Sequence, residues 1–212
     1  MHIAKRYITN PADQLITSSI LAQNAYNEIE HSIKNMIGEI NNSSIHCNGV
    51  VPVKEGCYKL LEETYGWYRE KPLDTLSEKG GPIDVYKEFL SSDSILRVGL
   101  EFETGNISSA HRSMNKLILG ITNNELDLAV LILPIHDLSY YLTDRVSNYE
   151  ELQPYYPIVD KYPFMFLGFD AEDYSPIHPI LSKGSDGMSK RSKRLWSYFN
   201  NKPSQAPKNN DN

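Results

Sequence analysis

The sequence predicts an α/β protein with a central mixed β-sheet flanked by helices on both sides, and three observations carry this prediction. Segments with apolar residues at helical spacing alternate along the chain with segments typical of strands. Residues Ile95 to Thr104 alternate apolar and polar side chains strictly, as a strand with one covered face does. Residues Leu126 to Leu133 form an almost continuous apolar run before Pro134, which indicates a strand covered on both faces.

The first third of the chain predicts two helices. Asn10 can cap the first of them, and apolar residues recur at helical spacing from there until Gly38 ends the pattern. Residues 41–51 are predicted to form a polar loop. The second helix is predicted from about Val53 to Tyr68, and Pro72 stops it.

The remainder of the chain predicts alternating strands and helices. A strand from Ile83 to Phe89 precedes the strictly alternating strand, and Gly105 ends the latter. Four further elements have apolar patterns of strand or helix length. In chain order they are a helix at Ser108–Leu119, a helix at Ile135–Leu142, a short helix at Asn148–Gln153 and a strand at Phe164–Phe169.

The length of 212 residues and the hydrophobic content of 40% fit one ordinary domain. We expect a single domain over residues 1–199, ending in a short basic helix, and a disordered tail over residues 200–212, which have almost no apolar content. The apolar runs are too short for a membrane span, and the N-terminal segment is too polar for a secretory signal. Cys47 and Cys57 are expected to be free thiols in a reducing, cytoplasmic environment.

The net charge and the local distribution of charge lead to different expectations about nucleic-acid binding. The net charge of −6 argues against loose binding to nucleic acid, because neutralising phosphates needs clustered Lys and Arg. Residues 183–194 nevertheless carry five basic residues against one acid, Asp186. By itself this run favours a solvated helix face, and a basic patch for a polyanion is the alternative. The five basic residues are Lys183, Lys190, Arg191, Lys193 and Arg194.

Three acidic side chains are predicted to share one surface of the sheet. Glu101 and Glu103 are two residues apart on the alternating strand, so both leave the same face. Asp84, on the preceding strand, is flanked by Ile83 and Val85 and is expected to point away from these apolar neighbours. If the two strands pair as a hairpin with their apolar faces aligned, Asp84 joins the two glutamates.

Like charges gathered on one surface repel one another, and a purely structural sheet gains nothing from them. Hard divalent cations remove the conflict, since Mg²⁺ prefers one or two carboxylates together with water and phosphate oxygens. Two such ions can stabilise the attacking and leaving oxygens of a phosphodiester. The alternative is the solvated face of an edge strand, which an arbitrary E-x-E pattern favours. Against it stand the flanking Gly99 and Gly105, the Pro82-Ile83-Asp84 segment at hairpin distance, and the polar helix that follows.

The acidic segments resemble the PD-(D/E)xK nuclease core. Pro82-Ile83-Asp84 followed by Glu101-Phe102-Glu103 is similar to that motif, except that Glu103 stands where most members have Lys. This variant and most of the chain between Cys47 and Ser192 resemble the BamHI family of type II restriction endonucleases, which implies a restriction-endonuclease-like fold. The similar segments are CNGVVP at 47–52, WYREKPLD at 67–74, GGPIDVYKEF at 80–89, EFETGNISSAHRSMNKL at 101–117, YYLTDRV at 140–146 and KGSDGMSKRS at 183–192.

The resemblance implies a metal-dependent active site. It makes Asp84 and Glu101 ligands of Mg²⁺, with two ions per site, and adds the backbone carbonyl of Phe102 as a further ligand. Glu103 is the implied general base, which takes a proton from the attacking water. Glu70, in the similar segment YREKP, is the implied fourth acidic residue of the catalytic site and a ligand through water. The sequence by itself favours a surface glutamate near a proline at that position.

Three segments are implied to contact DNA. At the start of the helix after the catalytic strand, Ser108 and Arg112 lie one turn apart and can reach adjacent base pairs. A helix N-terminus also favours the binding of phosphate. Capping the N-terminus of this helix is an alternative or additional role for Ser108. For the other two segments, a capping Asp beside a solvated Arg and a glycine-rich loop are the structural alternatives. The implied positions are Asn106, Ser108 and Arg112 in the first segment, Asp144 and Arg145 in the second, and Asp186 and Met188 in the third.

The implied substrate is double-stranded DNA with the palindrome GGATCC, cut after the first G on each strand to leave a GATC overhang. A palindrome requires twofold protein symmetry and therefore a homodimer. The helices at 108–119 and 135–142 are the expected interface. The sequence departs from the family in the loop at 74–80, at 157–160 and at Thr122-Asn123, and these departures bear on the ion pairs of the interface.

Two other functions stay open at the level of sequence. A DNA-binding protein without catalysis would carry the acidic surface as a structural feature. A generic α/β protein would carry it as a solvated surface. Both would leave DNA uncut, and the generic protein would also bind a specific duplex and a scrambled duplex equally weakly.

Overall fold

The chain folds around one six-stranded β-sheet. A computed structural model describes residues 1–36, 50–76, 80–142 and 147–171. The strands are β1 (His2–Ile8), β2 (Tyr68–Lys71), β3 (Ile83–Leu90), β4 (Ile95–Phe102), β5 (Leu128–Pro134) and β6 (Phe164–Asp170). The helices are α1 (Asn10–Ser18), α2 (Ile20–Asn35), α3 (Val50–Lys59), α4 (Ile107–Thr122), α5 (His136–Leu142) and α6 (Tyr149–Leu152), with a π-helical turn at Leu60–Thr64 and a 3₁₀ helix at Gln153–Val159.

The strand order across the sheet is β1-β6-β5-β4-β3-β2. The three central strands β4, β5 and β6 are parallel, whereas β2, β3 and β4 form an antiparallel meander and β1 pairs antiparallel with β6. Helices cover both faces: α2 and α3 pack on one, which we call the α2 face, and α4 and α6 pack on the other, the α4 face. The predicted α/β fold, a mixed sheet between helices, is therefore confirmed.

Each face of the sheet has its own hydrophobic cluster. Every second residue of β4 from Leu96 to Phe102 contributes to the cluster of the α2 face, as the strict alternation of this strand predicts. All seven residues of β5 are buried, which confirms the prediction of a strand covered on both faces. The parallel centre of the sheet is thus the core of the protein.

Cys57 on α3 is a free, buried cysteine, and burial raises the pKa of its thiol to about 12. It is therefore an unreactive core residue. Cys47, the basic run at 183–194 and the expected tail at 200–212 lie outside the described residues. Within the described ranges, no helix combines the length and the apolar character needed to cross a membrane.

The two edge strands, β1 and β2, do not follow from the sequence pattern. Ile3 is the buried residue of β1, and β2 has only exposed or partly exposed residues. An edge strand with solvated side chains has no apolar alternation to reveal it. The second predicted helix is accordingly too long at its C-terminal end, because the chain turns at Gly66, with a φ of +69°, and continues as β2.

The predicted first helix is two helices. Thr9, not Asn10, caps α1, since its Oγ1 accepts a hydrogen bond from the Ala12 amide at 3.4 Å. The same hydroxyl donates to the Tyr162 carbonyl at 2.6 Å, which ties the start of α1 to the segment before β6. The helices α1 and α2 are separated at Ser19, whose backbone is extended.

Leu126 packs between α4 and the sheet. A Cβ added to Gly99 on β4 would lie 2.6 Å from Leu126 Cδ1, and one added to Gly120 on α4 would lie 2.7 Å from the same atom. The two glycines therefore leave the space that this side chain fills. Leu126 is 2% exposed, so it joins helix and strand in one packed layer.

We expect Leu126→Ala to lower the free energy of unfolding by about 2–5 kcal/mol, because it opens a cavity between α4 and β4. Urea denaturation measures the change. Leu90→Ala is the matched control, since it removes the same atoms at a position that is 66% exposed. The control should change stability by less than about 0.5 kcal/mol. Equal losses in the two variants would contradict this packing.

Candidate active site

Strand register places three acidic residues in one row across the antiparallel strands. The β2–β3 register, interpolated between Arg69↔Val85 and Lys71↔Ile83, places the backbone of Glu70 opposite Asp84. The β3–β4 register, continued by one residue, places Asp84 opposite Glu101. Glu103 follows just beyond the end of β4. The backbones of the four predicted acidic residues thus lie in one region of the sheet, around the C-terminal end of β4.

Asp84 is held through one of its two carboxylate oxygens. Its Oδ2 accepts hydrogen bonds from the Tyr58 hydroxyl at 2.6 Å, the Lys54 ammonium at 3.0 Å and the backbone amide of Phe102 at 3.1 Å. Burial, followed by the charge of Asp84, raises the pKa of the Tyr58 hydroxyl, so this group stays protonated and remains a donor. The hydrogen bonds that the described residues donate to this carboxylate all reach Oδ2, and they fix its orientation.

The side chain of Asp84 does not point to the side of the sheet that strand alternation predicts from its neighbours Ile83 and Val85. Ile83 packs on the α4 face and Val85 on the α2 face, so the expectation that both share one face is wrong. The β2–β3 ladder is interrupted at this point, where Glu70 has a left-handed backbone with a φ of +53°. Asp84 is bonded by α3, whereas the partners of Glu101 and Glu103 belong to α4, so the expectation that the three acids share one surface of the sheet is wrong. The charge of Asp84 nevertheless acts on Glu101, so the two carboxylates interact at the strand ends.

Glu101 is a buried acid that is only 3% exposed. Its Oε2 accepts a hydrogen bond from the Ser113 hydroxyl at 3.0 Å, and its Oε1 lies 2.5 Å from the Lys116 ammonium. Burial, followed by the charge of Asp84, raises the pKa of Glu101 to about 7, and Lys116 opposes this shift. Since β4 is also an interior strand, the alternative of a solvated edge-strand face is wrong for Glu101.

Glu103 shares the α4 face with Glu101, as strand alternation predicts. Its Oε2 lies 3.0 Å from the Ser113 hydroxyl, and its Oε1 accepts a hydrogen bond from the Gly105 amide at 2.5 Å. The backbone amide of Glu103 donates to the Ile132 carbonyl at 2.9 Å. Glu103 therefore stays attached to β5 after β4 has ended, and the residue is partly exposed.

The described part of the chain contains no group of three or more His, Cys, Asp and Glu side chains arranged to hold a metal ion. The donors at Asp84 and Glu101 nevertheless fit Mg²⁺, which needs only one or two carboxylates and completes its shell with water and other oxygens. The raised pKa of Glu101 comes first from burial and second from the charge of Asp84, and a bound cation would reduce both costs of keeping Glu101 ionised. Glu70 is exposed, and its backbone lies at the strand position opposite Asp84.

The first turns of α4 present polar residues to the surface. Asn106 is the N-cap, since its Oδ1 accepts a hydrogen bond from the Ser109 amide at 3.0 Å, so Ser108 does not have that role. Ser108 and Arg112 are exposed and lie one turn apart on the same side of the helix. The other residues predicted to contact DNA, Asp144, Arg145, Asp186 and Met188, lie outside the described residues.

Four residues of the site are missed by reasoning from the sequence. Each comes from a helix and contacts an acid of the sheet, so the contact depends on tertiary packing. The sequence signal that could have revealed them is spacing: the two residues on each helix lie three or four positions apart and therefore share one side of that helix. The residues are Lys54 and Tyr58 on α3, and Ser113 and Lys116 on α4.

Two sequence comparisons identify relatives of the chain. A family model described as restriction endonuclease BamHI matches residues 1–188. The type II restriction enzyme BamHI of Bacillus amyloliquefaciens is 56% identical over 206 residues, which cover 92% of this chain and 97% of that protein. The type II restriction enzyme OkrAI of Oceanobacter kriegii is 34% identical over 177 residues, which cover 78% of this chain and 89% of that protein.

Solved structures share the fold. The restriction endonuclease BglII complexed with a DNA 16-mer aligns with a TM-score of 0.58 at 15% identity, over 82% of this chain and 81% of that one. Free BglII aligns with a TM-score of 0.51 at 14% identity, over 82% of each chain. These likenesses confirm the restriction-endonuclease-like fold, and the match to the family model covers most of the sequence. The chain therefore belongs to the BamHI family of restriction endonucleases.

Proposed function

We propose that this chain is a type II deoxyribonuclease that hydrolyses both strands of duplex DNA at GGATCC. The cut follows the first G on each strand and leaves a 5′-GATC overhang with 5′-phosphate ends. The observation that carries the proposal is the adjacent pair of carboxylates Asp84 and Glu101, followed at once by Glu103 and the capped helix α4. Membership of the BamHI family supports the same reaction.

Asp84, Glu101 and the backbone carbonyl of Phe102 would hold Mg²⁺, at two ions per active site, and Glu70 would contribute through water. When bound, the ions polarise the scissile phosphate and stabilise the charge on the attacking and leaving oxygens. The chain supplies carboxylates whose mutual repulsion falls when cations are present. The donors from α3 keep Asp84 oriented for this role.

Glu103 would act as the general base. Glu103 is a partly exposed residue, its Oε1 accepts a hydrogen bond from the Gly105 amide, and its Oε2 lies 3.0 Å from the Ser113 hydroxyl. The carboxylate takes a proton from the water that attacks the phosphate. An ionised Glu can do this directly at neutral pH, whereas a Lys in the same place would first have to lose a proton.

Base recognition would begin at the start of α4. Arg112 can donate to a guanine, and Ser108, one turn earlier, can reach the adjacent base pair. The positive end of the helix dipole of α4 attracts phosphate. The family resemblance adds Asn106 in this segment, Asp144 and Arg145 as readers of G·C pairs, and Asp186 and Met188 in a glycine-containing segment.

A palindromic site needs two active sites related by twofold symmetry, so we propose a homodimer with one active site for each DNA strand. The proposed interface is formed by α4 and α5. Leu119 on α4 supports this assignment, because this large apolar residue is 41% exposed in the single chain. A second copy of the chain would cover it.

We expect the full-length protein with Mg²⁺ to convert duplex DNA of known sequence into discrete fragments whose 5′-GATC ends derive from GGATCC. Sequencing of the fragment ends measures the site and the position of the cut. The control is a duplex with one base pair of the site changed, which should be cut far more slowly because a mismatch costs about 1–3 kcal/mol. Random fragments, or discrete cuts at another sequence, would contradict the proposed specificity.

We expect Asp84→Asn and Glu103→Gln to lower the cleavage rate by about 100-fold or more, because they remove a metal ligand and the general base. Metal-free binding to a GGATCC duplex, measured by gel shift, should change by less than about threefold. Glu63→Gln, at an exposed position of the π-helical turn, is the matched control and should cut at the wild-type rate.

Wild-type cleavage rates in both carboxylate variants would show that the assigned chemistry is wrong. A wild-type protein that binds GGATCC specifically and never cuts it would instead favour a DNA-binding protein without catalysis.

We expect the Mg²⁺ concentration for half-maximal cleavage to fall about tenfold as the pH rises from about 6 to about 8. A proton and a metal ion compete for Glu101, whose pKa burial and Asp84 raise to about 7, so acidic solution favours the proton. Cleavage rates measured over a series of Mg²⁺ concentrations at each pH give the shift. A half-maximal concentration that is independent of pH would argue against Glu101 as a ligand.

A further inference from the structure

One hydroxyl of α4 lies between the two catalytic glutamates. Ser113 Oγ is 3.0 Å from Glu101 Oε2 and 3.0 Å from Glu103 Oε2. Ser113 is only 2% exposed, so bulk water does not compete for either contact. The helix therefore touches the proposed metal ligand and the proposed general base through a single atom.

A serine hydroxyl has one hydrogen, so Ser113 cannot donate to both carboxylates at once. It donates to one glutamate at a time, and the equal distances of 3.0 Å make Glu101 and Glu103 alternative acceptors. The second oxygen of each glutamate has its own partner: Glu103 Oε1 accepts from the Gly105 amide at 2.5 Å, and Glu101 Oε1 lies 2.5 Å from the Lys116 ammonium. Each carboxylate is thus fixed separately at one oxygen, and its other oxygen is one of two alternative acceptors for the shared hydroxyl.

Lys116 connects α4 to the other acidic segment as well. Its ammonium donates to the backbone carbonyl of Pro82 at 2.7 Å, two residues before Asp84. The buried side of α4 is thereby attached to both acidic segments. The exposed side of the same helix carries Ser108 and Arg112.

We infer that Ser113 is a positioning residue that sets the orientation of Glu101 and Glu103 relative to each other and to α4. The inference rests on the proposed function, which assigns these glutamates to catalysis. Because α4 begins with the residues assigned to base contacts, one rigid element carries both the contacts to the DNA and the shared hydroxyl.

Ser113→Ala removes the shared hydroxyl, and Ser32→Ala is its matched control. Ser32 is a fully buried serine of α2 whose hydroxyl donates to the Glu28 carbonyl at 2.8 Å, so each variant loses one buried hydroxyl. We expect similar melting temperatures and similar metal-free affinities for the GGATCC duplex in the two variants. Only Ser113→Ala should lower the single-turnover cleavage rate at saturating Mg²⁺, by about tenfold or more.

Crystal structures of the two metal-free variants give a readout that does not depend on cleavage. We expect the Glu103 carboxylate, then held at one oxygen only, to rotate in Ser113→Ala and to keep its orientation in Ser32→Ala. Carboxylates that stay in place in Ser113→Ala, or a loss of cleavage rate that Ser32→Ala shares, would overturn the inference. If the wild type leaves GGATCC uncut, the proposed specificity fails, while the orientation of Glu103 still decides the role of Ser113.

Discussion

The burial of carboxylate charge at the end of β4 is the constraint on which the rest of the site depends. Glu101 is almost completely withdrawn from water beside Asp84, and a buried anion is unfavourable unless donors and cations surround it. The chain supplies these groups from both faces of the sheet, a lysine and a tyrosine from α3 and a serine and a lysine from α4. The sheet separates two sets of donors, and the acids lie where its strands end.

The interior of the sheet can be predicted from the sequence, and its edges cannot. Both faces of β5 and of most of β6 are covered, so β5 is apolar throughout and β6 has no polar side chain before Asp170. The alternation of β4 predicts which of its residues face which side of the sheet. The edge strands β1 and β2 have mostly solvated side chains, so their sequences have no apolar pattern. The break between α1 and α2 at Ser19 also cannot be predicted from hydrophobic periodicity, because apolar residues continue at helical spacing across it.

In the candidate site, too, some features can be predicted from the sequence and others cannot. Alternation within one strand is a local property, so the shared face of Glu101 and Glu103 follows from their spacing. The approach of Asp84 accompanies a left-handed backbone at Glu70, on the neighbouring strand, and no pattern within β3 encodes that. The contacts of Ser113 depend on how closely α4 packs against β4, which glycines and Leu126 determine through tertiary structure.

The pairing of β1 with β6 joins distant parts of the chain, since His2 lies opposite Asp170. This edge of the sheet cannot close until residue 170 has been synthesised. Until then β1 lacks its partner, and the edge of β5 that β6 will cover offers unpaired amides and carbonyls on an apolar strand, the kind of edge on which nascent chains aggregate. Contacts between residues so far apart also form later than a local hairpin such as β3–β4. The strand that is synthesised first is therefore among the last to join the sheet.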